Sequence, residues 1–223
     1  MLPPNQHDFT GCKIAAIFAH PDDAELTCFG ALSKFREAGA RVAILYLTSG
    51  GNGVSGNVND RRKESLEAAS YLNAEVDFAG FEDGRLSYDH ALVSRVQSFI
   101  ESENPTIVFT HYAEDHALNH QDHIAVSNAV RNVLRRSPRM ITLFLAESAT
   151  AECDFQPNVF IDVTQHYLTK IRAIKAHTSQ ANKFYMDERY IDQRSARWAM
   201  IVRERRESAR KWEAFKVDRM VFG

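Results

Sequence analysis

Lys13-Ile14-Ala15-Ala16-Ile17-Phe18-Ala19-His20-Pro21-Asp22-Asp23-Ala24-Glu25 is a short apolar run that ends in a tight acidic turn, with an apolar-periodic segment beyond it. Residues 13 to 19 show no hydrophobic periodicity, the pattern of a strand covered on both faces. In the turn, His20 and Asp23 offer an imidazole and a carboxylate three residues apart, stiffened by Pro21, and together they can grip one divalent cation. Asp22 is a spare carboxylate between them, able to take a proton from a water on that cation. The same letters also fit a plain helix start, because Asp22 or Asp23 can act as N-cap and Glu25 suits a first turn.

A second cluster lies about ninety residues on: Thr110-His111-Tyr112-Ala113-Glu114-Asp115-His116-Ala117-Leu118-Asn119-His120-Gln121-Asp122-His123. Four of the nine histidines of the chain fall in it. Thr106 to Thr110 reads as another buried strand, so this cluster also leaves the carboxyl end of a strand. In an open parallel sheet those ends share one edge, where ligands bind. His120 and His123 open a helix that continues through Ile124, Ala125, Val126 and Val130, which puts both imidazoles on one face. A lone histidine there would be an ordinary satisfied polar group. A pair beside Asp122, facing the turn of residues 20 to 23, points to a metal site.

Outward from these two anchors the chain alternates strand and helix. Leu26, Phe29, Leu32 and Phe35 recur at helical spacing up to Gly39, and Val42 to Leu47 is a second buried strand, so the three form a parallel βαβ unit. The loop from Ser49 to Asn59 contains Gly51-x-Gly53-x-x-Gly56, the letters of a dinucleotide fingerprint, and an NAD-dependent oxidoreductase is the rival that this loop suggests. The pattern follows the second strand and does not open a helix tightly, so a rim over the site is the better reading. Residues 60 to 72 form a helix with Leu66, Ala69 and Tyr71 or Leu72 inward; its basic start opposes the helix dipole, which fits Arg62 facing the pocket to meet an anionic or hydroxyl-rich substrate, or a plain solvated charge. Further strands fall at 76–79, 141–146 and 158–163, with helices at 91–100, from His120 to about 137, and at 164–176. His177 follows the last of these. Residues 187 to 215 read as a charge-dense helix docked by Trp198, Ile201, Val202 and Trp212, solvated or facing another subunit, which leaves a homo-oligomer open.

The expected fold is therefore α/β: a single Rossmann-like domain over residues 1–223 with a mostly parallel sheet and helices on both faces. Residues 1–12 form an N-terminal extension and 187–223 a helix and tail packed on the domain. With 44% hydrophobic residues the core is sizeable, and 27 Lys plus Arg against 29 Asp plus Glu give no basic field for nucleic acid. No apolar run approaches the ~18 residues of a spanning helix, and no leader pattern opens the chain, so membrane association and export are not expected and a cytoplasmic location is. Cys12, Cys28 and Cys153 are odd in number and far apart, which argues against a disulfide framework.

The two motifs together resemble those of the LmbE-like or PIG-L family of zinc-dependent N-deacetylases, whose marks are an Ala-His-Pro-Asp-Asp turn and a later His-x-Asp-His. Leu47-Thr48-Ser49-Gly50, Arg62 with Glu64, Asp83-Gly84-Arg85-Leu86 and Lys175 to Gln180 are similar to other family segments. The resemblance implies that His20, Asp23 and His123 hold zinc, that Asp22 is the general base, and that a protonated His120 stabilises the oxyanion with Asp122 orienting it. Iron(II) also suits such mixed nitrogen and oxygen ligands. His177 lies in a stretch like the family's His-x-Ser-Gln, which implies a substrate contact. The implied substrate is an N-acetylated amino sugar or its conjugate; a metalloprotein that binds such a sugar without turning it over is the remaining alternative. Two departures stand out. Asp115 is five residues ahead of His120, whereas the family places an acid closer, and Gly50-Gly51-Asn52 lacks the glutamate that often follows the second strand.

Overall fold

In the computed structural model, which describes residues 8–51, 58–113, 119–150, 155–202 and 210–219, strand β1 (Lys13–Phe18) lies near the middle of a seven-stranded sheet. Its flanks are β2 (Arg41–Thr48) and β4 (Ile107–His111), both parallel to it, with Ile14 opposite Val42 on one side and Ile107 on the other. Outside these lie β3 (Glu75–Phe81) and β5 (Thr142–Ala146), also parallel. The full order is β3-β2-β1-β4-β5-β7-β6, where β6 is Val159–Asp162 and β7 is Trp212–Arg219. The chain runs outward from β1 to β3, then returns to β4 on the other side of β1. That reversal makes the β1/β4 boundary the topological switch point, the place where an open α/β sheet leaves a crevice.

The apolar runs are explained by burial on both faces. Ala15, Ile17, Ala43, Leu45 and Val108 point to one core, filled by α4 (His90–Glu103), α5 (Gln121–Arg136) and Trp198 of α7 (Glu188–Ile201). Ile14, Ala16, Phe18, Val42 and Ile44 point to the other, filled by α2 (Phe29–Glu37), α3 (Val58–Ser70) and α6 (Tyr167–Ala176). Helix ends follow local chemistry: Asp89 caps α4 by accepting the Leu92 N–H at 2.9 Å, and Asp187 caps α7 by accepting from Arg189 at 2.7 Å.

Three expectations need correction. The helix expected from Leu26 to Ala38 is two, α1 (Asp23–Thr27) and α2, broken at Cys28. The break leaves the first N–H groups of α2 without helical partners, and the buried Glu213 carboxylate of β7 takes those of Gly30 (3.0 Å) and Ala31 (2.7 Å). A side chain at Gly30 would meet the Val163 Cβ at 2.8 Å, so the approach depends on glycine. The tail is also not one helix. It turns into β7, antiparallel to both β5 and β6, because Glu213, Phe215 and Val217 alternate with Trp212 and Ala214 between the two cores. Ile201 is exposed, and Arg203 to Ser208 lie outside the described residues. In α3 Leu66 is exposed, as is Tyr71 just beyond it, while Arg61, Glu64, Ser65, Ala68 and Ala69 face inward, with Leu72 after the helix buried as expected. The buried stripe of that helix is polar in its first half, which hid its register from a hydrophobic count.

A candidate metal centre at the switch point

Both motifs arrive at the crevice between β1 and β4. The Ala19 N–H donates to Nε2 of His111 at 3.0 Å, tying the end of β1 to the end of β4. Thr48 of β2 fixes the other side, its N–H and Oγ1 donating to the Ala19 carbonyl at 2.9 and 3.0 Å. The chain then turns sharply, with Asp22 at φ 112° and ψ −24°. A non-glycine residue in that region ordinarily costs about 1–3 kcal/mol, so neighbours must hold it there. Arg61 does so, donating through Nη2 to the Pro21 carbonyl and to Asp22 Oδ2 (3.0 Å) and through Nη1 to the Gly50 carbonyl (3.1 Å).

His20 Nδ1 lies 3.3 Å from Asp23 Oδ2 and 3.3 Å from His123 Nε2, which in turn lies 3.4 Å from Asp23 Oδ1. Donors ~2.0–2.1 Å from a zinc ion in tetrahedral array stand ~3.3–3.4 Å apart, so each of these spacings, which use both oxygens of Asp23, is that of a ligand pair on one ion. His120 joins His20 and His123, and His111 joins Asp23 and His123, in groups whose ligand atoms lie within 4.8 Å of one another. The donor set of imidazoles and carboxylate fits zinc, and fits ferrous iron.

The surroundings favour positive charge at this point. Burial disfavours a charged His20 ring, but hydrogen bonds to Asp122, Asp23 and Asp83 outweigh it and raise its pKa well above the ordinary value. Asp23 is buried too, yet His123 and His111 beside it hold its carboxyl well below the usual range. Burial pushes the Asp22 carboxyl up to about 6, with the Arg61 guanidinium opposing the rise. That value suits a group that must both take and return a proton near neutral pH. Desolvation, reinforced by neighbouring histidines, lowers the pKa of His111 and His120. His111 stacks on His123 with ring centres 3.9 Å apart.

The second layer differs from the expectation in four places. Asp122 does not orient His120. Its carboxylate accepts the N–H groups of Gly84 (2.7 Å) and Leu86 (3.0 Å) and meets His20 Nε2 at 3.1 Å, so it aims the other histidine. Asp83 Oδ1 lies 3.1 Å from the same Nε2. His120 is instead the N-cap of α5, with its Nδ1 accepting the backbone N–H of Asp122 at 3.2 Å. In the neutral ring that bond leaves the proton on Nε2, and desolvation favours the neutral form. Arg62 does not enter the crevice; it is exposed and its guanidinium lies 4.4 Å over the Phe78 ring. His177 is buried beneath the turn, with Nε2 3.4 Å from Glu25 Oε1, and offers no surface to a substrate. Glu25 is held from the other side by the Tyr46 hydroxyl at 2.8–2.9 Å.

Sequence reasoning missed Arg61, Asp83 and the part played by His111. The spacing of Arg61 and Glu64, one helical turn apart, was the available signal: both face inward, and Glu64 accepts from Thr178 Oγ1, Ser179 N and Ser179 Oγ at 2.7–2.8 Å. Asp115, His116, Gly53 and Gly56 lie outside the described residues.

The arrangement defines an α/β protein with a histidine and carboxylate cluster at its switch point that could hold a cation, and comparison with known proteins gives the family. Residues 15–134, more than half of the chain, match the family model PIG-L: GlcNAc-PI de-N-acetylase. The chain belongs to this family, the PIG-L or LmbE-like deacetylases. It is 32% identical over 171 residues to the Uncharacterized deacetylase YaiS of Escherichia coli K12, covering 74% of this chain and 90% of that one. It is 27% identical over 186 residues to the Diacetylchitobiose deacetylase of Thermococcus kodakarensis, covering 75% and 70%. Among solved structures, GalB, the 4-carboxy-2-hydroxymuconate hydratase from Pseudomonas putida KT2440, superposes with a TM-score of 0.79 at 19% identity, covering 95% of this chain and 98% of that one. At that identity the likeness concerns the fold alone.

Proposed function

We propose that the protein is a divalent-cation-dependent hydrolase that removes the acetyl group from an N-acetylated amino sugar or its conjugate. The reading rests above all on the donor triangle of His20, Asp23 and His123 with the buried Asp22 carboxylate beside it. The family supports it, as does the likeness to a diacetylchitobiose deacetylase. His20, Asp23 and His123 would hold the cation, zinc or ferrous iron. When bound, the ion supplies Lewis acidity, acidifying water and polarising an amide carbonyl.

The chain's own groups do the rest. Asp22 takes the proton from the attacking water while its Oδ2 remains on Arg61. The water oxygen bonds to the acyl carbon, and His120, donating through Nε2, steadies the negative charge that gathers on the carbonyl oxygen. The C–N bond then breaks, and Asp22 returns its proton to the departing amine, leaving acetate and a free amino sugar. Asp122 keeps the His20 ring turned so that Nδ1 faces the triangle. Cys12 and Cys28 are free thiols, consistent with a cytoplasmic setting, and among the described residues no helix is long and apolar enough to cross a membrane.

The test is acetate release from a panel of N-acetylated sugars and conjugates with zinc-loaded protein, and with Asp22→Asn as control. The variant should retain its cation and lose release. Equal rates for both proteins, or sugar binding with no release from the wild type, would remove the hydrolase reading. Hydration of an unsaturated acid, the reaction in the name of the fold neighbour GalB, is the competing outcome of the test. It predicts loss of ultraviolet absorbance from unsaturated dicarboxylates, with no acetate formed from any amide.

A further inference from the structure

Arg61 is the one strongly basic side chain that enters the crevice among the described residues, and it is only 3% exposed. A buried guanidinium is costly unless its donors are met, and here the two terminal nitrogens meet three acceptors from two segments, the Pro21 carbonyl, Asp22 Oδ2 and the Gly50 carbonyl, while the buried Nε has no partner among the described residues. Room for it has been left. Gly50 sits at φ +67°, and a Cβ there would fall 2.2–2.8 Å from Nη1, Cζ and Nε of Arg61. Helix α3 is anchored separately, one turn further on, by the bonds of Glu64 to Thr178 and Ser179.

We propose that Arg61 is a positioning residue: its fork binds the carbonyl of Pro21 and the carboxylate of Asp22 together, locking the left-handed turn so that one Asp22 oxygen is fixed and the other stays free for the water. This rests on the deacetylase reading for the reaction that it serves. The planar fork matters more than the charge, since bridging adjacent backbone and side-chain acceptors needs two directed N–H groups in one plane. With both terminal nitrogens spent on the protein, Arg61 has no role as an anchor for substrate anions.

The experiment compares wild type, Arg61→Met, Arg61→Lys, Gly50→Ala, Asp22→Asn and the Arg61→Met/Asp22→Asn double variant. Four readouts are taken: zinc content, urea midpoint, and kcat and KM for acetate release. Misplacing a reacting group by about 1 Å costs about 100-fold, so Arg61→Met should lower kcat by about that factor with zinc content kept and KM within about threefold. Arg61→Lys should fall between, and Gly50→Ala should reproduce the loss by displacing an intact arginine. In the Asp22→Asn background, Arg61→Met should change kcat by less than about threefold, because the group it positions is gone. A raised KM with kcat kept, or losses that multiply in the double variant, overturns the proposal. The urea midpoints decide the contact without any activity: shifts that simply add for Arg61 and Asp22 overturn the lock. Lack of acetate release by wild type, with coupled midpoints, would strike the deacetylase reading and not the lock.

Discussion

Replacing Asp122 separates two accounts of the His-x-Asp-His motif. If its carboxylate aimed His120, Asp122→Ala would slow the reaction and leave cation binding alone. The geometry says otherwise: the side chain is fully buried, takes two backbone N–H groups from the 84–86 turn, and meets His20 Nε2 at 3.1 Å. A carboxylate behind a metal-binding histidine fixes the ring's tautomer and direction, and its loss typically weakens metal affinity 10- to 100-fold, or about 1.4–2.7 kcal/mol. Asp122→Ala also strands the Gly84 and Leu86 N–H groups, each costing about 1–3 kcal/mol of stability. Asp122→Asn is the milder test. It keeps the size and one acceptor, but its amide nitrogen must face a donor. Competition for zinc against a chelating dye, at fixed pH, should show the affinity loss in both variants, with kcat at saturating zinc falling much less. Zinc affinity within about twofold of wild type, together with a kcat lowered about 100-fold, would refute the assignment and return Asp122 to His120.

Other outcomes follow from the same contacts. Glu213→Ala removes the carboxylate that caps α2 and pairs with Lys170 Nζ at 2.6 Å, both side chains being about 5% exposed; breaking such a pair costs about 3–5 kcal/mol, read as a lower urea midpoint. Removing both charges in Lys170→Met/Glu213→Gln should recover part of that loss. Glu64 should stabilise the fold at neutral pH and lose that effect in acid, because hydrogen bonds from Ser179 and Thr178 outweigh desolvation and lower its folded pKa. Its contribution is present above the unfolded value of about 4.3 and vanishes as pH falls through the folded one. Urea midpoints between pH 3 and 6, taken as roughly that window, should therefore slope less in Glu64→Gln than in wild type. Arg62→Met, at an exposed side chain whose guanidinium lies over Phe78, should leave kcat/KM within about twofold in the acetate assay.

Much of this was legible in the residues. Strands buried on both faces announce themselves as unbroken apolar runs, and β1, β2, β4 and β5 all did. The two motifs stood at the ends of two of them, so the sheet's edge brought them together. What escaped notice escaped for physical reasons. β7 follows charged residues that read as helix, and its strand alternation is masked because both faces are buried and a buried Glu213 stands in it. The inward face of α3 is polar where it covers the crevice, so a count of apolar positions wrongly turned Leu66 inward and could not choose between Arg61 and Arg62. Asp122 and His120 are two apart on a helix start, and spacing alone cannot say which histidine a carboxylate serves. The answer lay in the turn at Gly84 and Leu86, brought in from elsewhere in the chain.

The likeness to GalB puts a limit on what the sheet itself determines. A fold shared at a TM-score of 0.79 with a hydratase cannot choose between adding water across a double bond and hydrolysing an amide. What the sheet supplies is adjacency: because the chain reverses at β1, the ends of β1 and β4 are neighbours, and seven histidine and aspartate side chains between residues 20 and 123 gather there in three overlapping groups of three. Chemistry then depends on the groups around that point. A hydrolase must return a proton to its leaving amine, so it needs a group that ionises near neutrality and is held still while it works. Asp22, pushed up to about 6 by burial and gripped by Arg61, meets both demands. In the proposed hydrolysis, the choice between the two reactions is carried by the turn of residues 20 to 23 and the arginine behind it, and not by the seven strands that bring them together.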